Sequence, residues 1–282
     1  MAAVRHFLDA IKFEHTVFAL PFAYVAMVLA ADGWPGWHVV VWVTLAMAGA
    51  RTLAMSVNRL ADRFIDAANP RTAKRHLPTG LLTPAQVTTA AVLSAVLLLL
   101  SAWMLNPLCL LLSPLAVLFL VGYSYTKRFT WLSHWILGFT DGIAAAGGWV
   151  AVRATFDPPV YVLWLALTVW IAGFDLIYAC QDVEFDRRHG LHSVPARFGI
   201  PTALTTARAC HLLTIAAFAL LGWMMGLGVL YWLGVLAVAA LLVYEHSLVS
   251  PTDLSKLDVA FFNVNGYIAV ILFFSVIGGR LA

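Results

Sequence analysis

Charge is what this chain has least of. Only 11% of its 282 residues are charged, against 62% hydrophobic, where a soluble domain would carry about a quarter charged residues. An ordinary water-soluble fold is excluded. The net charge of +3 is too small to build a nucleic-acid-binding face, so no nucleic-acid partner is expected. Cysteine is scarce as well: Cys109, Cys180 and Cys210 lie in apolar runs at no metal-ligand spacing, which leaves them as small buried hydrophobes. The strands of a membrane barrel would alternate over segments of about ten residues, and no such alternation occurs. The opening stretch MAAVRHFLDAIKFEH has scattered charges and no apolar core before a small-residue cleavage site, so no signal peptide is expected.

What the chain has instead is long apolar runs. A helix crosses the hydrocarbon core with about 20 mostly apolar residues. Nine stretches qualify: 14–31, 38–57, 86–105, 107–125, 131–151, 160–180, 203–224, 228–245 and 259–278. Turn chemistry separates them, as in Asp32-Gly33-Trp34-Pro35-Gly36, Asn106-Pro107, Asp157-Pro158-Pro159 and Ser250-Pro251-Thr252-Asp253. The expectation is an all-α membrane protein with nine transmembrane helices, one membrane-embedded domain over 1–282.

Basic residues orient it. With the N-terminus inside, thirteen of the 17 Lys and Arg fall in inner segments and only Arg153 and Arg280 fall outside. That bias places the N-terminus in the cytoplasm and the chain, multi-pass, in the cell inner membrane. Two inner loops are long, about 58–85 and 181–202, and both begin at a span end. Connecting helices does not require such length, so both are expected to carry function.

Each long loop opens on acid. Asn58, Asp62 and Asp66 follow one another at four-residue spacing, as do Asp182 and Asp186, so a continued helix puts each set on one face. Asp175 lies two turns before Asp182. Like charges at that spacing cost a helix a few tenths of a kcal/mol, and more at a membrane boundary. A hard divalent cation offsets the cost, and Mg²⁺ typically takes one or two carboxylates plus phosphate oxygens. The bland alternative is a pair of solvated helix ends tied to Arg59, Arg63, Arg187 or Arg188; its occurrence twice, at both long loops, weighs against it. Near these acids stand Arg71, Lys74, Arg75, Lys127 and Arg128. Such residues can clamp a departing diphosphate, though the inner-side bias alone also accounts for Lys127-Arg128.

Taken in order, these residues resemble the UbiA superfamily of membrane prenyltransferases over almost the whole chain. Its first motif, Asn-x-x-x-Asp-x-x-x-Asp, matches Asn58, Asp62 and Asp66, and its second, Asp-x-x-x-Asp, matches Asp182 and Asp186. Its Tyr-x-x-x-Lys element matches Tyr123 and Lys127, and the loop Arg71-Thr72 to Arg75-His76-Leu77-Pro78-Thr79-Gly80 is similar to the stretch that follows the first motif. Many members have an acid directly after the motif Asn, where this chain has Arg59. On helix geometry that position points about 100° from the Asp face and is not expected to abolish metal binding. Lys12-Phe13-Glu14-His15-Thr16, the segment 191–199 and Tyr244-Glu245-His246 resemble a branch linked to menaquinone synthesis, within the 4-hydroxybenzoate polyprenyltransferase-like group.

The resemblance implies nine helices around a central cavity capped on the cytoplasmic side, and Mg²⁺-dependent transfer of a polyprenyl chain to 4-hydroxybenzoate or a dihydroxynaphthoate. Asn58, Asp62, Asp66, Asp182 and Asp186 would hold the metal. Arg71, Arg75, Lys127 and Arg128 would hold the diphosphate. Arg51, the one basic residue well inside a span, is expected to bind the acceptor carboxylate or else to pair with Asp141 or Asp175, with Arg128 as the next candidate. Asp175, Tyr178 and Tyr123 would line the acceptor site, Asp175 and Tyr178 alternatively satisfying each other. Gly138 and Gly142 mark close helix packing or room for the prenyl tail. The expected partners are a polyprenyl diphosphate, an aromatic hydroxy acid and lipid, with no obligate protein partner. A cation-coupled transporter is the competing class, but transporter sites favour the midplane, whereas these acids sit at the inner boundary.

Overall fold

The computed structural model describes residues 20–281, and these are helical, with no strand among them. The beginning of the first expected span, the 12–16 segment and the two most N-terminal basic residues lie outside the described residues. The helices are α1 (Leu20–Ala31), α2 (Trp37–Ala68), α3 (Pro84–Leu105), α4 (Pro107–Thr126), α5 (Ser133–Arg153) and α6 (Pro158–Ala179). The short α7 (Val183–Arg188) and α8 (Val194–Phe198) follow, then α9 (Ile200–Met224), α10 (Val229–Ser247) and α11 (Asn265–Leu281). Eight helical segments among the described residues are long and apolar enough to cross a membrane, and α1 is a shorter apolar helix. Together they match the nine expected spans.

Two compact units contain these helices. His38–Tyr125 forms one, carrying α2, α3 and α4; α1 and the chain from Thr126 onward form the other. In the first unit α2 is the unusual element. It runs 32 residues without a break, about 48 Å at 1.5 Å per residue, well beyond the roughly 30 Å of hydrocarbon. The sequence explains its persistence: between Gly49 and Pro70 there is no helix breaker, and the run Arg59-Leu60-Ala61 consists of good helix formers. Residues 58–68 are therefore helix, not the loop their charge suggested. Pro70 ends it, because the residue before a proline is pushed out of the helical region. Asn69 caps the end, its N–H bonded to the Ile65 carbonyl at 3.0 Å and its side-chain Oδ1 accepting from the Arg71 N–H at 3.0 Å. The next helix starts on a reciprocal cap: the Gln86 N–H donates to Thr83 Oγ1, and the Thr83 N–H donates to Gln86 Oε1.

The second unit is held together along seams of small residues. A Cβ on Gly138 would collide with the Thr168 backbone carbonyl, and one on Gly142 with the Trp164 ring, so α5 and α6 lie in close contact. Gly148 meets Ala23 of α1 in the same way, Gly222 meets Tyr231, and Gly234 meets Ser275. The glycine pair of α5 is a packing seam, one of the two readings its spacing allowed. Trp170, Phe22, Phe218 and Leu163 are buried at the centre. Inside this apolar core runs a polar chain. Trp170 Nε1 donates to Asn265 Oδ1 at 2.9 Å, Asn265 Nδ2 donates to Glu245 Oε1 at 3.1 Å, and His211 Nδ1 lies 2.9 Å from His246 Nε2. Glu245 and Asn265 are both fully buried. Buried polar groups away from water need partners, and the π-helical turn Val259–Val264 delivers Asn265 to them.

The outward faces read as lipid-facing. Leu111, Leu118, Leu212, Val243 and Phe274 are exposed, where an aqueous surface would not keep so many apolar side chains. Trp34, Trp37, Trp103 and Trp223 are exposed close to helix ends, the depth at which amphipathic rings prefer to sit.

Candidate active site

At the end of α2, Asp62 and Asp66 are buried, at 2% and 4% exposure. They are one helical turn apart on one face, as the four-residue spacing predicts. Asn58, one turn earlier, is half-buried. Arg59 differs from expectation. It is buried too, because seven residues at 100° each bring it back within about 20° of Asp66. The 100° holds relative to Asn58 but not to Asp66, so Arg59 lies on the acidic face rather than away from it.

The loop after α2 folds back over this face. Thr72 Oγ1 donates to the Asp66 carbonyl at 3.0 Å, and the Arg75 N–H donates to the Thr72 carbonyl at 2.9 Å. Those turns bring Arg75 Nη1 to 2.7 Å from Asp66 Oδ1. Arg75, expected on a diphosphate, here neutralises the carboxylate instead. Arg71 is exposed. Deeper on α2, the half-buried Arg51 has its Nε buried with no hydrogen-bond partner among the described residues, an arrangement costly enough to ask for an anionic ligand. Tyr123 of α4 is half-buried, with its hydroxyl 3.5 Å from the Ala54 carbonyl of α2.

The second unit holds the other set. The chain leaves α6 through a tight 3₁₀ turn, Cys180–Asp182, and enters α7, so Asp182 and Asp186 sit on a bent rather than a straight helix. Both are half-buried. Asp186 Oδ2 accepts from the Ser193 hydroxyl at 2.9 Å. Ser193 also caps α8, accepting from the Ala196 N–H at 3.3 Å. On one side of Ser193, the His192 N–H donates to the Lys127 carbonyl at 2.6 Å; on the other, the Val194 N–H donates to His134 Nε2 at 3.2 Å. His134 is buried, and its Nδ1 lies 2.7 Å from Asp175 Oδ2. Asp175 thus turns to a histidine, while the Tyr178 ring stacks on Phe261, centroids 4.0 Å apart. Lys127 and Arg128 are half-buried. His192 serves loop structure through its backbone.

Two site residues escape a reading based on acid and base spacing. His134 carries no acid or base spacing; an ionisable residue one turn into an apolar run is its only signal. Ser193 was legible only as a cap, a Ser ahead of Pro195 at a short helix start.

Among the described residues no group of three or more His, Cys, Asp or Glu side chains forms a ready-made metal cage. Mg²⁺ does not ask for one, since substrate oxygens and water complete its shell. The donor set fits: hard carboxylate oxygens, two of them buried on one helix face.

Known proteins can now be set beside this geometry. A model of the UbiA prenyltransferase family matches residues 19–271. The chain is 32% identical over 257 residues to a 4-hydroxybenzoate octaprenyltransferase of Saccharophagus degradans, covering 90% of this chain and 84% of that protein. It is 29% identical over 251 residues to the enzyme of that name in Aliivibrio fischeri, covering 89% and 87%. The apo structure of a UbiA homologue from Aeropyrum pernix superposes with a TM-score of 0.87 at 32% identity, over 95% of this chain and 98% of that one. A UbiA homologue from Archaeoglobus fulgidus bound to GPP and Mg²⁺ shares the fold at a TM-score of 0.72 and 18% identity, over 97% and 99%. With nearly the full length matched by sequence and by fold, the chain belongs to the UbiA prenyltransferase family.

Proposed function

We propose that this protein transfers a polyprenyl group from polyprenyl diphosphate to a ring carbon of an aromatic hydroxy acid, at the cytoplasmic face of the membrane, in quinone biosynthesis. Two buried carboxylates on one face of α2, Asp62 and Asp66, carry the reading. The names of the Saccharophagus and Aliivibrio relatives favour 4-hydroxybenzoate as the acceptor. A dihydroxynaphthoate of menaquinone synthesis is the second reading, favoured by the Tyr244-Glu245-His246 and 191–199 segments.

Asn58, Asp62, Asp66, Asp182 and Asp186 are the residues that would hold Mg²⁺. When bound, the ion neutralises charge on the diphosphate as it departs. Lys127 and Arg128, with Arg71 and Arg75, supply further positive charge to the leaving group, and fixed charge of this kind lowers a barrier by several kcal/mol in a water-poor site. Arg51 holds the acceptor carboxylate with its unpartnered Nε–H, while Tyr123, Tyr178 and Asp175 orient the ring. Loss of diphosphate leaves the allylic carbon electron-poor; the ring carbon beside the phenol attacks it and then releases its proton. Apolar walls keep water from intercepting the cation.

The test is direct. Purified protein with Mg²⁺ is given labelled prenyl diphosphates of several lengths and each of the two acids. Prenylated 4-hydroxybenzoate is the expected product; no product from either acid, with folding intact, sinks the reading.

A further inference from the structure

Three successive residues at the start of α8, His192 and Ser193 ahead of it and Val194 opening it, each hand a hydrogen bond to a different site element. His192 donates its N–H to the Lys127 carbonyl, Ser193 its hydroxyl to Asp186, and Val194 its N–H to the ring of His134. A backbone N–H can only donate. His134 Nε2 must therefore accept, which fixes a neutral ring with its proton on Nδ1. That proton then points along the 2.7 Å contact to Asp175 Oδ2. His134 is 3% exposed and Ser193 5%, so neither bond competes with bulk water, and losing either partner strands a buried polar group. The helix that this segment opens, α8, has only five residues, too short to hold its place unaided, and Val194 is buried in the core beside it. Arg187 adds another anchor, its Nε donating to the Ala196 carbonyl at 2.8 Å.

We propose that His134 is a positioning residue, whose Nδ1-protonated ring ties Asp175 to the His192-Ser193-Val194 segment and through Ser193 aims the carboxylate of Asp186. The inference rests on Asp186 serving as a metal ligand. It adds a specific cause for the orientation of that ligand, and it makes Asp175 and Asp186 members of one linked assembly. Partners that orient metal-binding carboxylates are worth about ten- to a hundredfold in affinity.

The experiment measures Mn²⁺ affinity of the full chain in detergent by electron paramagnetic resonance, and the Mg²⁺ concentration giving half-maximal prenyl transfer. His134→Leu and Ser193→Ala should each weaken Mn²⁺ binding about tenfold. The double variant should fall about as far as the worse single one, because both act through one chain of contacts. His134→Gln, whose amide can accept from Val194 and donate to Asp175, should recover to within about threefold of the wild type. A merely structural histidine would lower the amount of active protein without moving the metal dependence. Unchanged Mn²⁺ affinity in His134→Leu, a double variant that falls by the product of the two single losses, or a wild-type chain that binds no Mn²⁺ overturns the proposal. Wild-type protein that binds Mn²⁺ yet transfers no prenyl group to either acid overturns the reading of function alone, since the affinities of the variants still decide the role of His134.

Discussion

Arg75 and Asp66 form an ion pair at 2.7 Å, with the carboxylate side chain only 6% exposed and the guanidinium 30%. The same oxygen is a candidate metal donor, so Arg75 and a divalent cation compete for it. A diphosphate offers the guanidinium a better partner, with paired oxygens matched to its fork. Loading the site is therefore expected to move Arg75 from carboxylate to phosphate. Arg75→Gln should lower the Mn²⁺ concentration needed to occupy the site without donor and raise the KM for prenyl diphosphate about tenfold or more. Parallel changes in both affinities would refute the exchange.

Asp62→Ala and Asp182→Ala should each abolish turnover. Neither should unfold the chain. Thermal unfolding in detergent beside the prenyl-transfer assay checks both halves. An active Asp182→Ala enzyme would remove the second motif from the metal site.

Arg51→Ala acts on the acceptor. In the proposed role its buried Nε–H would bind a carboxylate held before and during reaction alike, and loss of such uniform binding raises KM while sparing kcat. A rise of about tenfold or more in acceptor KM is expected, the yield of one charge-assisted hydrogen bond. If acceptor saturation curves of variant and wild type superimpose, the role passes to Arg128.

The glycines of α5 separate packing from permissiveness. Gly138→Ala drives a Cβ into the Thr168 backbone, an overpacking that costs about 1–3 kcal/mol. Gly147 faces open space, and Gly147→Ala should gain about 0.5–1 kcal/mol by stiffening the unfolded chain. Opposite shifts in Tm are the expected signature.

Asn265→Leu should be the most damaging change away from the acidic motifs. It strands the Trp170 N–H and one oxygen of Glu245, each worth about 1–3 kcal/mol when buried unpaired. A large fall in Tm is expected, and an unchanged Tm would mean that the polar chain contributes nothing to stability.

The apolar runs alone specified the helices, because a chain in hydrocarbon must satisfy its backbone within each segment. Acid spacing likewise put Asp62 and Asp66 on one face of α2, since side chains four apart in a straight helix share a face, but it did not show the turn at Cys180–Asp182 that bends the second pair. What no spacing could supply was partnership. The Arg75 contact with Asp66, the turn of Asp175 toward His134 and the Ser193 bond to Asp186 join residues from seven to forty-one positions apart, and only the folded backbone brings them together. Arg59 makes the same point within one helix: a local angle to Asn58 pointed it outward, yet two further turns of α2 returned it to the acidic face. Local periodicity was written in the order of the residues. The choice of which charge meets which was left to packing, because in a low-dielectric interior a polar group takes whatever partner the fold places within about 3 Å.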